Sequence, residues 1–437
     1  MKVRKVESKM NEFVQYRREF HKYPENGWSE IRTSARIAEI LTGMGYRCLM
    51  GPDAVNIDSV GKFVRPDEKL QKENMERAVR QGANPEFVEK TKGWPGVVAE
   101  LDTGREGPVT AFRFDIDCLP YDEPQQAGYR PYEEGYASCN AESDHACGHD
   151  AHTAMGLGIA SALQQKKDQL RGKIRLLFQP AEETFNGAQS MIDKGHLDDV
   201  ENFIAMHVAL SAENRPLPSH TICCGCKDFL SDRQIDVHFE GRAAHPCGAA
   251  QEGKNALLAA CSAALNIHAI APHEEGLCRV NVGELHAGIA INTIAPNALM
   301  KIEYRGQTPT IASYVGERVF DILDGTAKAY DLTYTYDDYG EVPAGKSDDA
   351  MMEIIERAAK KIPWFETIYF EGNVGGTDDA AAMINKVQSN GGIGTYVGIG
   401  TDTTQPVHNP EFDLDEECIP AAVELCMNAL EEIHGIK

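Results

Sequence analysis

Positive charge is what this chain lacks most: its 437 residues carry 43 Lys and Arg against 67 Asp and Glu, a formal net charge of −24. A surface of that sign repels phosphate backbones and excludes nucleic acid as a general partner. Long apolar runs are missing as well. The stretch Ala256 to Ala271 is broken by Asn266 and His268, short of the roughly 20 apolar residues a spanning helix needs, so no membrane partner is expected. The opening MKVRKVESKMNEFVQYRREF has neither an apolar signal core nor a small-residue cleavage site. The 12 cysteines follow no regular framework, with only Cys223, Cys224 and Cys226 clustered. Without an export signal they read as reduced thiols, and a cytoplasmic location is expected. No internal repeat or low-complexity tract is present.

What is present is a chain long enough, at 42% hydrophobic, to bury a large core in two or three domains. Helical periodicity in the first residues puts Phe13, Tyr16 and Phe20 on one face and resumes at Ser34 to Met44. The polar segment Gly51 to Pro95, with a helix around Asp67 to Gln81, reads as an insertion over a core. Short β-rich runs then alternate with helical ones: Gly96 to Leu101, Val109 to Phe114, Ile174 to Phe178 and Phe203 to His207, with helices such as Thr153 to Gln165. That order predicts an α/β domain with a mixed sheet covered by helices. From about Pro216 several strands surround one Ala/Leu-rich helix, Asn255 to Ile270, which suits a smaller inserted α+β domain. The expected division is 1–215 with 330–437 for the large domain and 216–329 for the small one.

The densest chemistry lies in HACGHDAHT, His145 to Thr153, where Cys147, His149, Asp150 and His152 crowd together. Three readings fit. It is a polar turn opening a helix with Asp150 near the positive end of the dipole. Alternatively Cys147 is a nucleophile activated by His149, or Cys147 and His149 ligate a borderline divalent ion. FQPAEE places Glu182 and Glu183 just beyond an apolar strand, at the end where open α/β sheets bind ligands. Such a pair is either a solvated face or a division of labour, one carboxylate on a metal and the other taking a proton from water. His207 in AMHVAL is a core histidine or a further ligand, and His408 sits in the Pro-bounded loop GTDTTQPVHNP.

YRREFHKYPENGWSE, AFRFDIDCLP, YASCNAESDHACGHDAHTAMGLG, FQPAEE, HVAL, GRAAHPCGAAQEGKNALLAA and VHNPEFD together resemble the M20 metallopeptidase family. The resemblance is to the branch of hippurate, N-acyl-amino-acid, auxin-conjugate and aminobenzoyl-glutamate hydrolases, and it spans nearly the whole chain, the charged insertion included. It implies a two-metal amidohydrolase acting on N-acyl or N-aroyl amino acids, p-aminobenzoyl-glutamate first among them. It further implies that Cys147, His149, Glu183, His207 and His408 ligate two divalent ions, Mn2+ or Zn2+, with Glu182 as general base and Asp117 orienting a ligand. The inserted domain becomes a lid that also makes a homodimer, or a heterodimer with a homologous subunit. There His245 donates to the oxyanion, commonly from the neighbouring subunit, and Asn292 and Arg305 hold the substrate carboxylate. The run Gly376-Thr377-Asp378-Asp379 departs from the branch's Gly-Ser-Glu-Asp pattern.

Overall fold

Strand and helix alternate through the chain up to Lys227 and again from Lys346, and these two stretches fold into one α/β unit. The computed structural model describes residues 2–435, and for 2–11 the helical backbone alone. Across the large sheet the strands run in the order Cys48–Met50, Val97–Asp102, Lys173–Gln179, Val109–Asp115, Asn202–Val208, Ile393–Ile399, Thr221–Cys223, Thr367–Tyr369. Val109–Asp115 lies parallel to both Lys173–Gln179 and Asn202–Val208, which in turn pairs in parallel with Ile393–Ile399. Val97–Asp102 and Thr221–Cys223 join antiparallel, so the sheet is mixed. Strands buried on both faces need apolar side chains throughout, and Phe112, Phe114, Leu176, Phe178, Phe203 and Ile204 are fully buried.

The helix His149–Lys166 lies on this sheet, and every residue from His149 to Ala160 is buried. Gly156 allows the close approach: a Cβ there would stand 2.7 Å from the rings of Phe114 and Phe178. Any larger residue would lift the helix and, with it, His149 at its first turn. The helices Lys2–Lys22 and Cys418–His434 pack on the same helix. Between them the buried Arg17 meets Asp150 and Asp413 at 2.8 Å and Glu416 at 3.2 Å. A guanidinium out of water demands such a complete set of acceptors. Within 51–95, the helices Glu68–Arg80 and Pro85–Thr91 pack on Ile31–Gly43.

The second unit, Asp228–Gly345, has an antiparallel sheet in the order Cys278–Ala287, Asn297–Gly306, Asp232–Glu240, Thr333–Val342. Ala256–Ile267 and Pro309–Ala329 cover it, burying Val237, Phe239, Met300, Ile302, Val319 and Leu323. This unit starts and ends later than the 216–329 expected from sequence. The reason is pairing: Thr221–Cys223 belongs to the large sheet, whereas Thr333–Val342 pairs with Asp232–Glu240.

Candidate active site

Four separate stretches of the large unit bring donor atoms together at the carboxyl ends of its parallel strands. His149 opens its helix, Glu182 and Glu183 follow Lys173–Gln179, His207 is the penultimate residue of Asn202–Val208, and His408 comes from a late loop. Cys147 Sγ lies 3.5 Å from His207 Nε2. His149 Nε2 lies 3.9 Å from Glu183 and 3.9 Å from Glu182, and His408 Nε2 is 3.6 Å from Glu183. Cys147, His149 and Glu183 can therefore direct one atom each to a common point, each within 4.8 Å of the others.

Backbone geometry makes this crowding possible. Gly148 has φ +84°, and a Cβ on it would press to 2.5 Å against Val208. Glycine is what lets the Cys147–His149 turn reach the His207 strand. Ala181, Phe185, Ala209 and His408 all hold positive φ around the same cluster, a concentration of backbone strain typical of functional sites.

Hydrogen bonds fix which atoms face inward. His149 Nδ1 donates to the Asp117 carbonyl at 3.0 Å, and Asp117 also accepts from the Glu183 backbone N–H at 3.0 Å. His207 Nδ1 donates to the Val208 carbonyl at 2.5 Å, which turns its Nε2 toward Cys147. His149 Nε2 and Glu183 Oε1 are buried without a hydrogen-bond partner. Buried unpartnered polar atoms of this kind call for a bound ligand.

Electrostatics point the same way. Asp115, Asp117, Glu182, Glu183, Asp378 and Asp379 crowd this region, and the buried Arg113 pairs with three of them, 2.5 Å from Asp115, 3.2 Å from Asp378 and 2.9 Å from Asp379. Burial, reinforced by Glu183 and Glu182, pushes the Cys147 thiol well above its ordinary value. That environment disfavours the metal-free thiolate nucleophile, which needs a positive setting. Burial also raises Glu183 to about 7 and, with Asp378 nearby, lifts Glu182 well above the usual carboxylate range. Burial opposes charge on His149, yet Asp115 and Asp117 outweigh it and hold the imidazole up to about 10.

Several residues at this site gain a role only in the structure. His152 donates from Nδ1 to Asp115 at 2.5 Å and accepts from the Val208 N–H at 3.0 Å. Its position three after His149, on the same helix face, is the available signal. Arg113 interrupts an apolar strand, and Asp378 and Asp379 form the departing loop, with Tyr396 donating to Asp378.

The remaining candidates lie in the small unit. His245 is exposed, and its Nδ1 accepts the backbone N–H groups of Cys247 at 3.2 Å and Gly248 at 3.0 Å. The neutral ring therefore carries its proton on Nε2. Asn292 is exposed in the turn between Cys278–Ala287 and Asn297–Gly306. Arg305 pairs with Asp232 and Glu303, both at 2.9 Å.

Residues 111–432 match the profile of Peptidase family M20/M25/M40. The chain belongs to that family. It is 40% identical over 422 residues to the indole-3-acetyl-aspartic acid hydrolase of Enterobacter agglomerans, covering 96% of this chain and 95% of that protein. It is 41% identical over 411 residues to one of the subunits of the p-aminobenzoyl-glutamate hydrolase of Escherichia coli (strain K12), covering 94% and 93%. Among solved structures, the aminobenzoyl-glutamate utilization protein from Klebsiella pneumoniae superposes with a TM-score of 0.80 at 36% identity, over 98% of this chain and 97% of that one. This M20 chain is a hydrolase acting on amide bonds. Among its described residues no helix is long and apolar enough to cross a membrane.

Proposed function

We propose that this M20 hydrolase is a two-metal amidohydrolase of N-acyl or N-aroyl amino acids, with p-aminobenzoyl-glutamate as the first candidate substrate. The observation that carries the reading is the convergence of Cys147, His149, Glu183, His207 and His408, with His149 Nε2 and Glu183 Oε1 buried and unpartnered. A thiol, imidazoles and a carboxylate suit a borderline divalent ion, zinc on softness or manganese on availability. Two such ions bound there supply Lewis-acid activation of a water and of the scissile carbonyl. Cys147, His149, Glu183, His207 and His408 hold them, and Asp117 orients His149 and Glu183 through the hydrogen bonds described above. Glu182, nearly buried beside Asp378 and Asp379, takes the proton of the attacking water and returns it to the leaving amine. His245 donates through Nε2–H to the developing oxyanion.

Arg305 offers its planar fork to the free carboxylate of the amino-acid half, displacing the more exposed Glu303, and Asn292 adds a hydrogen bond. Within one chain these residues lie apart. The hairpin pairs Arg279 with Arg305 at one end and Ala287 with Ala298 at the other, next to the Asn292 turn. The His245 segment joins that second end through Ile294 N–H to the Ala244 carbonyl, 3.0 Å. From Ala298 to Arg305, at about 3.4 Å per residue, the strand covers on the order of 24 Å, farther than a small amide spans. One site therefore draws Arg305 from one chain and His245 with Asn292 from another. The exposed Leu258, Leu265, Ile289 and Ile291 on the small unit, and the free edge of Cys278–Ala287, suit such an association. The second chain is another copy or a homologous partner, the latter in keeping with the Escherichia coli relative being named as one of its enzyme's subunits. All cysteines are free of disulfides, which suits a reducing cytoplasm.

Substrate choice is tested with purified protein loaded with zinc or with manganese, comparing kcat/KM on p-aminobenzoyl-glutamate, indole-3-acetyl-aspartate, hippurate and N-acetyl-amino acids. Preference for the aroyl glutamate supports the assignment. Preference for the indole conjugate or an acetyl compound would reassign the acyl pocket while keeping the chemistry.

A further inference from the structure

The turn Ala181–Glu183 carries the proposed base and one proposed ligand on strained backbone, with Ala181 at φ +55°. Two carboxyl groups accept its N–H groups. Asp117 takes the Glu183 N–H at 3.0 Å, and Glu30, fully buried just before the helix Ile31–Gly43, takes the Ala181 N–H at 2.7 Å through Oε1. A buried N–H must have an acceptor, and the Glu30 carboxyl oxygen supplies it. The other oxygen of Glu30, Oε2, is buried without a partner, so the carboxyl is placed for this single contact. The loop bearing Glu30 also touches the turn directly: a Cβ on Gly27 would lie 3.3 Å from Ala181 Cα and from the Thr184 side chain.

That loop is in turn braced by the 51–95 segment. Arg77 donates to Glu25 at 2.9 Å and to the Ser29 carbonyl at 3.0 Å. Trp94 meets Trp28 edge to face, with ring centroids 6.0 Å apart. Glu25 accepts the N–H groups of Arg32 at 3.2 Å and Thr33 at 2.8 Å, which ties the loop to the helix that follows Glu30. A continuous series of contacts thus runs from the insertion through residues 25–30 to Ala181.

We propose that Glu30 is a positioning residue for Glu182 and Glu183, and that the 51–95 segment acts on the site by holding the Glu30 loop in place. The inference rests on the two-metal reading of those glutamates. It is tested with Glu30→Gln, Glu30→Asp and Arg77→Met, measuring affinity for zinc and manganese by calorimetric titration, and kcat and KM on the best amide of the panel. Gln keeps an acceptor at the position of Oε1, whereas Asp keeps the acid but is one methylene too short to reach Ala181. The expected result is near-wild-type behaviour for Gln, and for Asp a loss of roughly 10–100-fold in metal affinity or kcat with KM little changed. Arg77→Met moves kcat in the same direction by less.

Wild-type metal affinity and kcat in Glu30→Asp would overturn the inference, as would an equal loss in Gln and Asp. An Arg77→Met protein that lost only thermal stability would remove the insertion from it. Should Glu30→Asp fail to fold, Glu30→Gln and Arg77→Met still decide, since loss of kcat in Gln or unchanged kcat in Met would each count against the proposal. A wild-type protein that bound metal but cleaved no amide would refute the functional reading, while the metal titrations would still judge Glu30.

Discussion

His149 gives its Nδ1 proton to the carbonyl of Asp117, 3.0 Å away, and keeps Nε2 buried, unpartnered and 3.9 Å from Glu183. The backbone fixes the ring, so that Nε2 faces the cluster of donors and ligates once its proton is lost.

Metal uptake should therefore expel protons. Burial and the neighbouring glutamates hold the Cys147 thiol protonated, burial keeps Glu183 near 7, and Asp115 and Asp117 hold His149 up at about 10. Each must lose its proton to ligate, so affinity for zinc or manganese should rise with pH from about 6 upward and keep rising toward 10. Calorimetric titration in two buffers of different ionisation heat checks this. Heats independent of buffer would contradict it.

Fold stability should fall on the alkaline side through His21. Burial opposes its charge, but Asp150 at 2.8 Å and Glu123 at 2.9 Å outweigh burial and raise it from 6.5 to about 10. A raised folded-state pKa means the contribution is complete below 6.5 and is lost as pH climbs through 10. His21→Asn should cost about 3–5 kcal/mol at pH 6. Denaturant melts should show the gap from wild type narrowing across that window, and a constant gap would argue against a charged His21.

The separation of Arg305 from His245 and Asn292 along one hairpin predicts complementation between protomers. His245→Ala and Arg305→Ala should each be nearly inactive alone, and co-expression should restore part of the activity, because a mixed dimer retains one site with both side chains. No recovery, with dimers of the two variants demonstrably formed, would mean that each site is built from one chain or that a different partner chain is required.

The large sheet and the donor cluster are legible in the sequence because their signals are local. Val109 to Phe114 and Phe203 to His207 read as strands from apolar content alone, and Cys147, His149, Glu182 and Glu183 stand in short motifs. What the sequence hides depends on distant pairing. Arg113 reaches Asp379 across 266 positions of sequence, and nothing near either residue announces the other. Thr333–Val342 is an edge strand whose side chains are largely exposed, so its membership in the small sheet rests on partners about a hundred residues earlier. The helix Pro309–Ala329 is missed for a different reason. Its Thr308 cap and the spacing of Ile311, Val315, Val319 and Leu323 are readable, but the strand-rich texture around it masks them.

In the proposed reaction, metal-dependent amide hydrolysis has Glu182 moving the proton. It is tested most directly by measuring p-aminobenzoate release from p-aminobenzoyl-glutamate by the wild type and by Glu182→Gln, each with its bound metal quantified. Release by the wild type that stops on chelation and returns with zinc or manganese is the expected result, with kcat roughly 10²–10⁴-fold lower in Glu182→Gln at unchanged metal content. Wild-type turnover in Glu182→Gln with its metals still bound would contradict the account.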